Sequence, residues 1–150
     1  MFDDLRDLYQ EVILDHGRRP RHGARLETFD ATARGDNPMC GDRVQVFVRH
    51  DADGHVAEAG FEARGCAISI ASADLMAEVV AGRTDADIRV LADAFRNMAR
   101  SGQAPADDQA MERLRPLAGV HEYPSRVKCA TLPWHALLAA LDGRGDASSD

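Results

Sequence analysis

At 150 residues the chain has the size of one compact domain. Eighteen basic against 25 acidic residues leave a formal charge of −7. That is the wrong sign for a general nucleic-acid binder, which neutralises phosphates with clustered positive charge. Hydrophobic residues, at 45%, suffice for a core. No apolar run approaches the roughly 18 residues of a membrane span.

The acidic opening Met1-Phe2-Asp3-Asp4 has neither the basic flank nor the apolar run of a secretory signal, so a cytoplasmic location is expected. Phe2, Leu5, Leu8, Tyr9, Val12 and Ile13 recur with helical spacing and predict a first helix over 3–15, ended by Gly17 and Pro20. Residues 17–25 read as a basic loop, either a solvated linker or a docking surface for an acidic partner. Its flanking His16 and His22 are expected at the surface. Three strands follow, over 27–34, 43–50 and 55–64. The second alternates clearly, with Val44, Val46 and Val48 on one face. Asp51-Ala-Asp-Gly54 is a hairpin turn. It superficially resembles a calcium loop, but Val56 stands where such a loop needs glycine.

After Cys66 the period becomes helical. Ile68, Leu75, Met76, Val79 and Val80 form one stripe, closed by Gly82. Thr84 and Asp87 are an N-cap pair for a helix ending at Gly102. A short helix is expected near 107–116. A last helix is expected with Thr131 as N-cap and Pro133 in its first turn, carrying Trp134, Leu137, Leu138 and Leu141 on one face. The fold class is α+β: a small three-stranded antiparallel sheet with about five helices packed on it. One domain covers 1–142, and 143–150 form a polar, disordered tail.

Three cysteines in a chain with no export signal disfavour a disulfide framework and leave metal binding or thiol chemistry. Each stands at the end of an element rather than within an apolar stripe: Cys40 in Asn37-Pro-Met-Cys-Gly-Asp42, Cys66 at a strand-to-helix junction, Cys129 just before the expected last helix. Helix N-termini stabilise thiolates, and Arg126 and Lys128 add positive charge beside Cys129. Lys128 is the sole lysine among the 18 basic residues. In extended backbone Cys40 and Asp42 point to the same side. With Cys66 and Cys129 they would supply three sulfurs and one carboxylate, a tetrahedral set suited to Zn²⁺. No CxxC pair exists, so spacing alone leaves open both a shared metal site and three independent cysteines.

Other constellations are weaker. Six histidines leave room for a Cys–His pair, His121 being nearest to Cys129 in sequence. Ser69 and Ser72 read as small residues that allow close helix packing. There is no GxSxG, P-loop or dinucleotide fingerprint.

Asn37-Pro-Met-Cys40-Gly-Asp42, Gly65-Cys66-Ala-Ile-Ser-Ile-Ala-Ser72 and Arg126-Val-Lys128-Cys129-Ala-Thr-Leu-Pro-Trp134, with the opening Leu8–His16, resemble the IscU-like (NifU N-terminal-like) iron–sulfur cluster assembly family over about residues 5–142. Two features resemble its SufU type: Lys128 stands where scaffold-type members carry histidine, and the long Cys66–Cys129 segment leaves room for a helical insertion around 83–103. The resemblance implies zinc held by Cys40, Asp42, Cys66 and Cys129. It implies a SufS-type cysteine desulfurase as partner, whose histidine replaces Cys40 on zinc so that Cys40 takes up persulfide sulfur. Arg126 and Lys128 would assist beside the site, and the sulfur would pass to a SufBCD complex. The alternative it implies is a scaffold holding iron or a [2Fe–2S] cluster on the same cysteines. No nucleic-acid or membrane partner is expected.

Overall fold

The computed structural model describes residues 2–38, 41–103 and 109–148. Helix α1 (Phe2–Arg18) leads into strands β1 (Ala31–Asn37), β2 (Asp42–His50) and β3 (Val56–Arg64). Helices α2 (Ala67–Val80), α3 (Asp85–Ser101) and α4 (Gln109–Leu114) follow, then a 3₁₀ segment (Arg115–Glu122), α5 (Pro124–Leu141) and a short strand β4 (Asp146–Ser148). The sheet order is β3-β2-β1-β4. The first three strands are antiparallel neighbours, as alternation predicts. The sheet has four strands rather than three, because β4 pairs parallel with β1 through Arg34, Gly35 and Asp36. Three residues of Asp-Ala-Ser carry no alternation of their own, and only the open edge of β1 defines them as a strand.

Val44, Val46 and Val48 are all buried beneath the sheet, where α5 and α2 pack. Phe47 points to the other face yet is also buried. Phe29 meets its ring edge-on at 5.0 Å, and the Arg25 guanidinium lies over both rings. The basic loop is therefore not simply solvated, since it roofs this end of the sheet and lies along β3. Phe61 N–H donates to the His22 carbonyl, and a Cβ on Gly60 would come within 2.5 Å of the Ala24 carbonyl oxygen.

Helix α2 is buried on most of its circumference, between α1, β3 and α5. Two polar contacts fix it. The Asp74 carboxylate, fully buried, pairs with His16 Nδ1 at 2.5 Å and accepts the His22 N–H at 2.8 Å. The Ser72 hydroxyl donates to the Ala130 carbonyl at 2.5 Å. His16 is thus buried rather than exposed, because its partner lies 58 residues away in sequence. Trp134 stacks on Phe95 at 4.8 Å and joins α5 to α3. Thr84 caps α3 as expected, accepting the Asp87 N–H.

Other boundaries moved. The first strand begins at Ala31, not 27, and α1 continues through Gly17 to Arg18. The short helix near 107–116 is α4 followed by the 3₁₀ segment. Helix α5 starts at Pro124, so Thr131 lies inside it, its hydroxyl bonded back to the Val127 carbonyl. Pro133 is also internal. The hairpin turn at 51–54 holds, with Asp51 accepting the N–H groups of Asp53 and His55. Among the described residues no helix is long and apolar enough to cross a membrane.

His50 clamps the start of α3 to the sheet. Its Nδ1 lies 2.6 Å from Asp30 and its Nε2 2.8 Å from Asp85. Burial opposes the charged imidazole, but the hydrogen bonds and charges of Asp85 and Asp30 outweigh it and raise the His50 pKa above 6.5. Burial likewise opposes the Asp30 carboxylate, but the hydrogen bonds from His50 outweigh it and lower that pKa below 3.8. The clamp therefore contributes fully between the carboxylate range and pH 6.5, and is lost as pH rises through the His50 pKa. Denaturation of wild type and His50→Gln from pH 5 to 9 should show the gap in midpoint shrinking with rising pH. A constant gap would refute the clamp.

Candidate metal centre

Four elements meet at one end of the sheet: the start of β2, the end of β3, the first turn of α2 and the second turn of α5. They bring Asp42, Cys66 and Cys129 together, with one ligand atom of each within 4.8 Å of the others. Among the described residues this is the one such group of metal-ligating side chains. Asp42 and Cys129 are each 1% exposed, and Cys66 is half-buried. Cys40, the fourth expected ligand, lies outside the described residues. Its neighbours Asn37 and Asp42 face each other in register across β1 and β2, and the Gly41 N–H donates to the Asn37 carbonyl.

Asp42 is held by the helix it faces. Its Oδ1 accepts the Cys66 N–H at 2.9 Å, and its Oδ2 lies 3.7 Å from the Cys66 Sγ. Cys66 is itself the residue capping α2, with extended backbone. Gly65 makes this possible. Its φ is +136°, and a Cβ there would fall 1.9 Å from Asp42 Oδ1. The space a side chain would take is filled by the Asp42 carboxylate. Cys129 departs from expectation differently. It sits in the second turn of α5, so the unpaired amides of a helix N-terminus are not beside it. Its sulfur faces the centre because α5 packs on α2, with the Ser72–Ala130 bond one residue further along.

The donor set fits a divalent, borderline-soft cation. Two sulfurs and a carboxylate at bond lengths of about 2.0–2.3 Å form tetrahedral edges of roughly 3.3–3.8 Å, within the observed spread. A buried carboxylate is costly unless a cation or hydrogen-bond donors face it. The same ligand types also suit iron, so the set alone does not choose the metal.

Arg126 and Lys128 are exposed on α5. Arg126 borders an apolar groove formed with Ile13, Ile68, Val120 and Tyr123, which opens next to the first turn of α2. The His121 Nδ1 donates to the Ala118 carbonyl, and among the described residues no cysteine contact is seen for it. Sequence reasoning singled out the three side chains that converge here but missed the Ser72 tie and the buried Asn37, which no local pattern distinguishes from ordinary polar residues.

Substituting Gly65 by Ala should destabilise the fold by roughly 2–4 kcal/mol and displace the Asp42 carboxylate. Metal retention during dialysis against a chelator should fall with it. Asp42→Ala should weaken retention without the backbone strain, and unchanged zinc affinity would remove Asp42 from the ligand set.

The family model for the NifU-like N terminal domain matches residues 8–130. The chain is 37% identical to the iron–sulfur cluster assembly scaffold protein IscU of Streptococcus pyogenes serotype M1, over 91% of this chain and 84% of that one. It is 36% identical to the zinc-dependent sulfurtransferase SufU of Bacillus subtilis, over 89% of each. The crystal structure of FiSufU from Fervidobacterium islandicum AW-1, assigned to the SUF system, superposes with a TM-score of 0.79 at 30% identity, covering 87% of this chain and 94% of that one. With its cysteine motifs, helix-on-sheet architecture and converging Asp42, Cys66 and Cys129, the chain belongs to the NifU-like N-terminal domain family, among its IscU and SufU members.

Proposed function

We propose that this protein is a zinc-dependent sulfurtransferase of iron–sulfur cluster assembly, taking persulfide sulfur on Cys40 from a SufS-type cysteine desulfurase. The observation that supports it most is the convergence of Asp42, Cys66 and Cys129, with Lys128 rather than an imidazole beside them. An ammonium is no ligand, so that position leaves three cysteines and one carboxylate as the donor set. The zinc-dependent name of the Bacillus relative agrees with it.

Zinc, when bound, keeps its cysteine ligands as thiolates at neutral pH and brings no redox chemistry of its own. Asp42, Cys66 and Cys129 would hold it. Cys66 and Asp42 are locked to each other through the Cys66 N–H, so the shell keeps its geometry while Cys40 acts. The Cys40 thiolate attacks the outer sulfur of the partner's cysteine persulfide. A new S–S bond forms on Cys40, the partner's S–S bond breaks, and the partner's cysteine leaves as a thiolate. No external oxidant or reductant is needed. Arg126 and Lys128 would stabilise the persulfide anion or seat the partner. The sulfur would then pass to a SufBCD-type complex.

A scaffold holding a [2Fe–2S] cluster on the same cysteines is the second reading, favoured by the IscU-named relatives. Elemental analysis of protein purified anaerobically separates the two. Sulfur transfer expects roughly one zinc per chain without iron or sulfide. Iron and acid-labile sulfide in near-equal amounts would favour the scaffold.

Cys40→Ser should abolish the mass gain of one sulfur atom after incubation with desulfurase and cysteine, while Tm falls only modestly. Retained transfer would overturn the role of Cys40. Lys128→Ala should slow transfer several-fold, and an unchanged rate would leave Lys128 without one.

A further inference from the structure

Cys66, Ser69 and Ser72 follow one another at a spacing of three residues along one stripe of α2. Both ends of that stripe meet consecutive residues of α5. The Cys66 and Cys129 sulfurs lie within 4.8 Å of each other, and the Ser72 hydroxyl donates to the Ala130 carbonyl at 2.5 Å. Ser69 is bracketed by these two contacts, one helical turn inward from Cys66, and is fully buried. Its size suits close packing, but alanine would pack as closely. Its Oγ has no hydrogen-bond partner among the described residues. A buried hydroxyl without a partner destabilises a fold, so its presence here calls for a reason that packing does not give.

The centre beside it has the complementary need. Asp42, Cys66 and Cys129 would bring three negative charges to a divalent cation, so negative charge remains on the ligands. Oδ1 of Asp42 already accepts the Cys66 N–H. Cys66 is half-buried and partly reached by water. Cys129 is buried, and a thiolate there has to be balanced by donors inside the protein. Ser69 offers such a donor on the side of α2 that faces α5. Rotation about χ1 to another staggered position re-aims its O–H without moving the helix.

We propose that Ser69 is a positioning residue of the metal centre, its hydroxyl donating to the Cys129 sulfur when that sulfur binds the cation. This inference rests on Asp42, Cys66 and Cys129 as metal ligands, a premise that sulfur transfer and cluster assembly share. A hydrogen bond behind a ligand fixes its orientation and contributes about tenfold or more to metal affinity.

The test is Ser69→Ala in the full chain, with Ser69→Thr as the variant that keeps the hydroxyl. Three quantities are measured: zinc affinity by competition with a chromophoric chelator, Tm with and without excess chelator, and the thiolate-to-metal charge-transfer band after loading with Co²⁺. Ser69→Ala should bind zinc about tenfold more weakly than wild type. Its cobalt band should move to longer wavelength, since a hydrogen bond to sulfur holds the donated electrons at lower energy. In excess chelator its Tm should equal or exceed that of wild type, because an unpartnered hydroxyl has been removed. Ser69→Thr should keep the wild-type band position even where its extra methyl lowers Tm. Wild-type zinc affinity and band position in Ser69→Ala would overturn the role and leave the metal centre and sulfur transfer standing. A Tm loss of equal size with and without chelator would overturn it too, since a serine with only a packing role behaves that way. A wild-type chain that binds neither zinc nor cobalt would overturn the metal centre and this role together.

Discussion

The structure turns on one buried carboxylate. Asp42 opens β2, and its oxygen accepts the N–H of Cys66 where β3 gives way to α2. That bond fixes the helix start against the strand start, and it works only because Gly65 leaves no side chain in the way. The remaining ties protect this geometry. Ser72 joins α2 to α5, which carries Cys129, and Asp74 joins α2 to α1 through His16. Helix α2 is thus held at its start and at its middle by polar contacts inside an apolar environment, where hydrogen bonds are strongest and misplacement costs most.

The hydrogen bond from Cys66 also orients a candidate ligand. An amide that donates to a carboxylate oxygen leaves that oxygen's neighbour directed at the sulfur, 3.7 Å away. A site built this way has its donors aligned before any ion arrives. Preorganisation of ligands by contacts behind them sets both affinity and selectivity in metal sites.

Much of this was legible in the sequence. The alternation of Val44, Val46 and Val48 located the central strand, and the cysteine motifs singled out Asp42, Cys66 and Cys129, although Cys129 stands inside a helix rather than at its start. What failed shares a physical cause. Thr131 followed two residues later by proline mimics a helix start, but Pro124 after Tyr123 is an equally good one, and packing against α2 and the sheet chose the longer helix. His16 looked exposed because its neighbours are basic and polar, while Asp74 lies too far along the chain for any local window. β4 was invisible because its pairing is entirely with β1. Local patterns report local preferences, and these features were settled by contacts across tens of residues.

β4 and the loop over β3 have a joint effect. On one side, β4 occupies the edge of β1. On the other, the His22 carbonyl and the Arg83 carbonyl accept N–H groups of β3 at Phe61 and Val56. Both margins of the sheet are therefore largely spoken for, and little backbone remains on offer for another chain to extend it. Strand addition, a mode that is tight and indifferent to side-chain identity, is thereby closed to another chain at these positions. Contacts with another chain would run through side chains instead, which let go more readily than a paired strand.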